Sequence, residues 1–236
     1  MDNYIDVTFD FYSDTPKGKD PDSYSPTLRN YHKLLWSKPL PSGLKFDLND
    51  NFSRLLYHKS ELGEFILSSD AIGHTYSKTK IMAPIINKIP SFEINQFFST
   101  CSTIGGYIIF PATQVDYKMT INASRGLNRK IKDRFDLTLE CLRRFYSKED
   151  SPLSDTFQRY SQFFDLFENF KEYVNFFLLQ DLVNENYSLI KYWIPFNDFD
   201  DSPLPNNVEE YRLYKKNLME FIKERNHRIS ELAPFD

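Results

Sequence analysis

Between Phe157 and Phe177 nine aromatic side chains, Phe157, Tyr160, Phe163, Phe164, Phe167, Phe170, Tyr173, Phe176 and Phe177, recur at helical spacing. Rings at that interval line one side of a helix, and leaving them in water would expose a large apolar face, so the stretch must be core. The spacing predicts two helices with a break near Asn169. The bias extends along the whole chain. With 22 Phe, 15 Tyr and 2 Trp in 236 residues, 17 % of the sequence is aromatic while 41 % is hydrophobic, so rings rather than aliphatics must fill the interior. Such a composition excludes global disorder. A chain of this length buries roughly 70 % of its unfolded surface without disulfides or metal, and it reads as one domain.

The expected elements fall into two parts, a mixed part over 1–126 and a mostly helical part over 127–236. Ile5, Val7, Phe9 and Phe11 alternate with Asp6, Thr8 and Asp10, which predicts a half-buried strand from Tyr4 to Tyr12. Ser13 to Ser25 is a turn-rich loop, and Ser25-Pro26 opens a short helix carrying Leu28, Tyr31, Leu34 and Leu35. Strands are expected at 45–48, 54–58 and 64–67, helices at 77–89 and 91–99, and a strand pair at 107–110 and 118–122. Ile131, Phe135, Leu139, Leu142 and Tyr146 predict a helix of about 19 residues. Asn206 with Glu209 imitates a capping box before a last helix that carries Tyr211, Tyr214, Leu218, Phe221, Ile222 and Ile229. The fold class is therefore α+β: an N-terminal antiparallel sheet of roughly five short strands with short helices, packed on an aromatic-rich C-terminal helical bundle.

Several function classes drop out. Only 7 glycines occur where average usage of about 7 % gives roughly 17, and neither GxGxxG nor GxxxxGK[ST] is present. Cys101 and Cys141 form no CxxC pair, which excludes a cysteine zinc site and a disulfide framework and fits reduced thiols in a cytosol. His32, His58, His74 and His227 have no i, i+4 partner for zinc or iron. No GxSxG elbow and no kinase signature occurs. The N-terminus lacks an apolar signal core and no apolar run reaches membrane length, so export and membrane insertion are not expected. With 29 Lys+Arg against 33 Asp+Glu the net charge is −4, too acidic for long-range attraction to duplex DNA.

Three stretches could carry chemistry. The loop from Asp10 to Pro26 runs into a helix; Lys17 and Lys19 could neutralise phosphate, and Asp10, Asp14, Asp20 and Asp22 could hold a hard cation such as Mg²⁺. Aspartates also cap turns, so this set has a plain structural use too. On the helix after this loop, Arg29 and His32 share a face and Lys38 lies just beyond, putting a fixed cation near a titratable imidazole able to act as acid or base. A histidine on such a helix can equally serve as an ordinary hydrogen-bonding group. The third stretch, Thr120 to Arg134, contributes Asn122, Arg125 and Arg134, and the segment 125–144 is locally basic. Its cations could meet phosphates or pair with Asp133, Asp136 and Glu140.

The segments DFYSDTPKGKDPDSYSPTLRNYHKLLWSKPLPSG, TINASRGLNRKIKDRFDLTLECLRRFY and NFFLLQDLV resemble a bacterial family catalogued as a domain of unknown function. That resemblance implies a bacterial or prophage cytosolic protein of single-domain type and carries no reaction, ligand or catalytic residue with it. From the residues, the leading expectation is an enzyme or binding protein for a phosphate-bearing ligand, a nucleotide or RNA end. Lys19, Arg29, Lys38, Asn122, Arg125 and Arg134 would bind it, His32 would carry a proton, and Asp10 or Asp14 would orient His32 or bind Mg²⁺. The alternative is a non-catalytic protein-interaction module of antitoxin-like or phage-defence type that offers its aromatic helices to a protein partner.

Overall fold

A computed structural model describes residues 4–50 and 54–232 of the chain. Asp20 caps a single helical turn, α1 (Pro21–Tyr24), and Ser25 accepts the Leu28 N–H to start α2 (Pro26–Trp36), with Pro26 at its first position as its fixed φ favours. Two-residue strands β1 (Lys38–Pro39) and β2 (Lys45–Phe46) pair antiparallel. The main sheet is an antiparallel run of β3 (Asn49–Asp50), β4 (Leu56–Ser60), β5 (Gly63–Ala71) and β6 (Tyr107–Pro111), in that spatial order. Glu61 and Leu62 form the two-residue turn between β4 and β5, since Ser60 pairs with Gly63. Gly63 has φ +134, a conformation that L side chains rarely adopt.

Between β5 and β6 the chain makes a 3₁₀ turn (Lys80–Met82), α3 (Ala83–Ile86) and α4 (Ser91–Cys101). After β6 come α5 (Ile121–Leu127), α6 (Phe135–Tyr146), α7 (Ser154–Arg159), α8 (Ser161–Asp165), α9 (Phe170–Phe176) and the 24-residue α10 (Val208–Glu231). The α+β architecture and the aromatic helical part are as the sequence pattern indicates. Phe157, Phe163, Phe164, Phe167, Tyr173 and Phe177 are buried together, with neighbouring rings such as Phe157 and Phe164 at 5.1 Å and Phe167 and Tyr173 at 5.3 Å, nearly all tilted or edge-on. Those arrangements match the ring quadrupole. The break near Asn169 is real, its side chain accepting the Glu172 N–H to start α9, but the stretch before it is itself divided between Arg159 and Ser161, so the two expected helices are three.

Several local expectations are corrected. Residues 4–12 form turns, not a strand, because the aspartates that alternate with apolar residues bond to their own backbone. Asp6 Oδ1 accepts from Thr8 N at 2.8 Å, and Asp10 Oδ1 from Tyr12 N at 3.0 Å. The helix expected at 77–89 is cut to two short turns, with Pro84 in the first turn of α3 and Pro90 closing the segment. Lys118 to Asn122 is no strand; Thr120 accepts the Ala123 N–H and starts α5 instead. The helix of about 19 residues begins only at Phe135, because Lys132 and Asp133 take left-handed φ of 47° and 63°. The last helix is capped one residue later than expected, by Asn207, whose Oδ1 accepts from Glu210 N at 2.8 Å, while Glu210 Oε2 accepts from Asn206 N.

Helix α10 anchors its neighbours at two places. Arg225, with no exposed surface, donates to the Gly105, Tyr107 and Phe177 carbonyls, tying the helix to the start of β6 and to the end of the aromatic segment. Tyr211 and Tyr214 donate to the Thr75 and His74 carbonyls at 2.6 and 2.9 Å. The loop after β5 is thereby fastened to a long, rigid helix. Among the described residues no helix is long and apolar enough to cross a membrane.

Candidate functional site

A cavity of about 520 Å³ opens where five segments meet. Tyr12, Asp20 and Asp22 come from the first loop and α1, Asp70 and Ala71 from the end of β5, and Gly73 to Thr79 from the loop beyond it. Phe98, Cys101 and Ser102 come from the end of α4, Tyr107 from β6, and Gly126, Lys132 and Asp133 from the turn joining α5 to α6. Four carboxylates against two lysines, Lys78 and Lys132, line it.

Behind this lining lies Arg125. The side chain is wholly buried; Nη1 donates to Asp70 Oδ2, Nε donates to Thr138 Oγ1 at 3.0 Å, and Nη2 lies 3.7 Å from Asp133 Oδ1. Asp133 in turn has its Oδ2 3.2 Å from His74 Nε2. Asp133 can reach both groups because it and Lys132 sit in the left-handed region, a conformation held by the Tyr76 hydroxyl, which donates to the Lys132 carbonyl at 2.8 Å. Tyr76 itself has φ 55. Left-handed backbone at three side-chain-bearing residues costs energy and persists only where the surroundings enforce it. Here Tyr211, Tyr214 and Tyr76 do so.

The carboxyl groups are poised to hold protons. Burial pushes Asp70 up to about 6; the Arg125 guanidinium pulls it down and the Asp133 carboxylate pushes it up. Burial likewise holds Asp22 well above the usual carboxylate range, helped by Asp70 and Asp20 and opposed by the Ser69 hydroxyl and Arg125. Asp70 keeps 15 % of its side-chain surface, so its proton is reachable from the cavity. Four buried atoms here have no hydrogen-bond partner: Asp22 Oδ1, His74 Nε2, Arg125 Nη2 and Asp133 Oδ1. Folded proteins rarely leave buried polar atoms unpaired without a reason.

The residues singled out by sequence scatter around this cavity. Asp20 and Asp22 line it, and Arg125 lies behind Asp70, outside the lining. Asn122 sits one turn before Arg125 and donates to Ser68 Oγ at 3.1 Å and the Ser69 carbonyl at 3.3 Å. His32 is fully buried: Trp36 Nε1 donates to its Nδ1, its Nε2 lies 2.9 Å from Ser69 Oγ, and burial with Arg225 nearby lowers its pKa to about 3. A ring held neutral with no exposed surface is poorly placed to exchange a proton with a ligand. Asp10 caps the turn at Tyr12, and Asp14 Oδ2 accepts the Thr27 N–H at 3.0 Å; neither is near His32's polar contacts. Arg29 pairs with Asp50 at 3.0 Å, and Lys19 lies over the Tyr24 ring. Lys38 donates to the Phe176 carbonyl at 2.6 Å over two aromatic rings, and burial lowers its pKa to about 8. Arg134 and Asp136 form a fully buried pair, with Arg134 also donating to the Pro203 carbonyl.

The basic segment is largely paired. Arg143 and Arg144 both bond to Glu140, and Lys130 meets Asp200 at 2.8 Å. Among the described residues no group of three or more His, Cys, Asp or Glu side chains is placed to hold a metal ion. Asp70 and His74 lie outside the stretches that the sequence pattern singles out. A carboxylate one residue before the end of a strand, followed by Gly73-His74, is the signal that points to them, since sites favour strand ends and the loops beyond.

The fold and cavity define an α+β protein with an acidic, aromatic-rimmed hollow between its sheet and its C-terminal helices. The family of unknown function DUF6994 matches residues 5–229, and the chain belongs to that family. No curated protein and no solved structure matches it.

Proposed function

We propose that the cavity is the active site of an enzyme working by acid–base catalysis on a small substrate that is not an anion. The observation that carries this reading is convergence: of the ten unpartnered buried polar side-chain atoms among the described residues, four belong to Asp22, His74, Arg125 and Asp133. Asp22, His74 and Asp133 line the cavity, and Arg125 backs Asp70 from behind it. Protonated Asp70 is the general acid, its proton retained to near neutrality by burial. His74, held 3.2 Å from Asp133, is the general base that takes a proton from water or a substrate hydroxyl. Asp22 is a second carboxyl on the same wall, held above the usual carboxylate range by burial first and by the neighbouring Asp70.

A phosphate-bearing ligand fits less well than the sequence suggests, because Arg125 already faces two carboxylates and the lining carries four. The interaction-module alternative loses its main support as well, since the aromatic rings of α7 to α9 lie in the core. We read the chain as one domain whose helical part supports the site, and the buried free thiols Cys101 and Cys141 favour a cytosolic setting.

The test pairs a spectroscopic and a kinetic measurement. Carbon-13 NMR of labelled aspartates should find the Asp70 carboxyl titrating near pH 6. A panel of nitrophenyl glycosides, nucleosides and amides should show turnover that falls roughly 10²–10⁴-fold in Asp70→Asn with the circular dichroism spectrum unchanged. Ordinary carboxylate titration of Asp70 together with no turnover would refute the reading.

A further inference from the structure

We infer that the segment 77–92 and the outer face of α4 form a docking surface for an anionic phospholipid bilayer, with the chain lying on the membrane rather than across it and the cavity opening beside it. The inference is independent of the acid–base reading, since it needs only the surface that flanks the hollow.

Charge marks this surface first. No Asp or Glu occurs across 71–92, a run of 22 residues in which the chain's average gives about three, whereas Lys78, Lys80 and Lys88 all fall there. All three are exposed, and none takes part in the lysine ion pairs found among the described residues. The next acid, Glu93, is neutralised by Lys215, with Arg212 3.6 Å away. A protein of net charge −4 thus keeps one face cationic, and such asymmetry turns a molecule toward a negative surface.

Apolar side chains stand among these cations. Met82, Ile86 and Ile89 are buried, while Ile81 is 70 % exposed. Helix α4 packs through Phe97 and Cys101 and presents Ser91, Phe92, Asn95, Gln96, Phe98 and Ser99 to solvent. That outer face holds two phenylalanines and no charge, where a surface helix ordinarily turns charged residues outward. Phe92 is 68 % exposed and Phe98 40 %. Lys78 and Phe98 also line the cavity, so the surface runs up to its mouth.

This combination selects a bilayer over a protein partner. Exposed Phe and Ile beside lysines enter the boundary between headgroups and acyl chains, where the apolar groups are buried and the ammonium ends reach back to phosphates. Here the apolar groups stand singly among Ser, Asn and Gln, and no carboxylate among the described residues fixes the geometry of the three lysines. A specific protein interface requires a packed apolar centre and fixed polar contacts, whereas a fluid sheet of anionic headgroups requires neither. The contact stops at Phe98: Tyr12 packs on that ring and stands near Asp10 and Asp20, which an anionic surface repels.

Flotation of the full chain is measured with vesicles of phosphatidylcholine alone and with vesicles containing about one-third phosphatidylserine. The chain should float with the anionic vesicles, stay behind with the neutral ones, and be released as salt rises. One lysine near an anionic surface gains about fivefold in partitioning, so Lys78→Gln, Lys80→Gln and Lys88→Gln together should weaken binding about a hundredfold. Ile81→Ser with Phe92→Ser should weaken it about tenfold or more, both positions being exposed enough for the fold to be retained. Tyr117→Ser, at a fully exposed ring on the loop after β6, should leave it unchanged. Failure to float with anionic vesicles overturns the inference, as does equal binding to neutral ones or flotation that both sets of variants leave intact. Two rival occupants are read in the same samples. Self-association lost in the Ile81 and Phe92 variant, or capture of an acidic phenylalanine-containing peptide in place of vesicles, assigns the face to protein and overturns the inference as well.

Discussion

Trp36 donates its indole N–H to Nδ1 of His32 at 3.0 Å, which leaves the imidazole proton on Nε2, 2.9 Å from Ser69 Oγ. Ser69 in turn lies beside Asp22, where its hydroxyl favours the charged carboxylate. A line of polar contacts thus runs from the buried face of α2 to the cavity wall. His32 serves there as a fixed donor that holds Ser69 in place.

That role predicts an acid-sensitive stability. The folded pKa of His32 is about 3, below the unfolded value of about 6.5, so an unfolded chain takes up a proton that the native ring refuses. Stability from this group is complete above about pH 6.5 and is lost as pH falls toward 3. Comparing wild type with His32→Gln in urea, the difference in unfolding free energy should shrink by about 2 kcal/mol between pH 7 and pH 5. A difference that does not change with pH would mean that the ring takes up its proton as readily in the native state as in the unfolded chain.

Asp70 responds to its neighbours in opposite directions. Arg125 pulls its pKa down and Asp133 pushes it up, against the larger effect of burial. Asp133→Asn should therefore lower the pH at which Asp70 titrates, and Arg125→Met should raise it. Site-resolved NMR titration reads both. No shift in either variant would show that Asp70 is controlled by burial alone.

Arg225 is a buried cation bonded only to carbonyls, and burial lowers its pKa to about 9. Its replacement leaves the Gly105, Tyr107 and Phe177 oxygens without these donors. We expect Arg225→Met to cost about 2–5 kcal/mol in urea unfolding. Arg225→Lys should recover only part, because one ammonium cannot span the places where the guanidinium fork reaches. A neutral Met variant would indicate that relief from burying the charge cancels the lost hydrogen bonds.

Gly73 sits against α4 at the cavity's edge. A Cβ there would come within 2.6 Å of Cys101 Sγ and 3.3 Å of Leu218 Cδ2. Gly73→Ala should destabilise by about 1–3 kcal/mol, and adding Cys101→Ala should restore most of it by removing the closest atom. Additive losses in the double variant would place the conflict with Leu218 instead.

The architecture was largely legible in the sequence because it rests on periodicity. The rings from Phe157 to Phe177 had to be core, and Ser25-Pro26 had to open a helix; both are features of neighbours along the chain. The site was not legible, because it depends on contacts between segments far apart. Asp22, Asp70 and Asp133 are 48 to 111 residues from one another in sequence, and no local pattern brings them together. Where local cues misled, short polar side chains were responsible. Asp6 and Asp10 looked like the wet face of a strand and instead fold the backbone into turns, and Thr120 started a helix where a strand was expected. Arg125 was recognisable as important, but its partners turned it from a grip on an external anion into the centre of a carboxylate cluster.

The hairpin of β4 and β5 decides more than sheet geometry. Ser69 and Asp70 are adjacent and point to opposite sides of the strand, one toward His32 and the other toward Arg125. A single-residue insertion at Glu61-Leu62 that slid β5 by one place would put Ser68 where Ser69 meets the imidazole and Ser69 where Asp70 meets the guanidinium, leaving Arg125 without that carboxylate. The protonation chemistry of the hollow is therefore set at a surface turn eight residues upstream, and every sequence variant of that turn has to preserve its length.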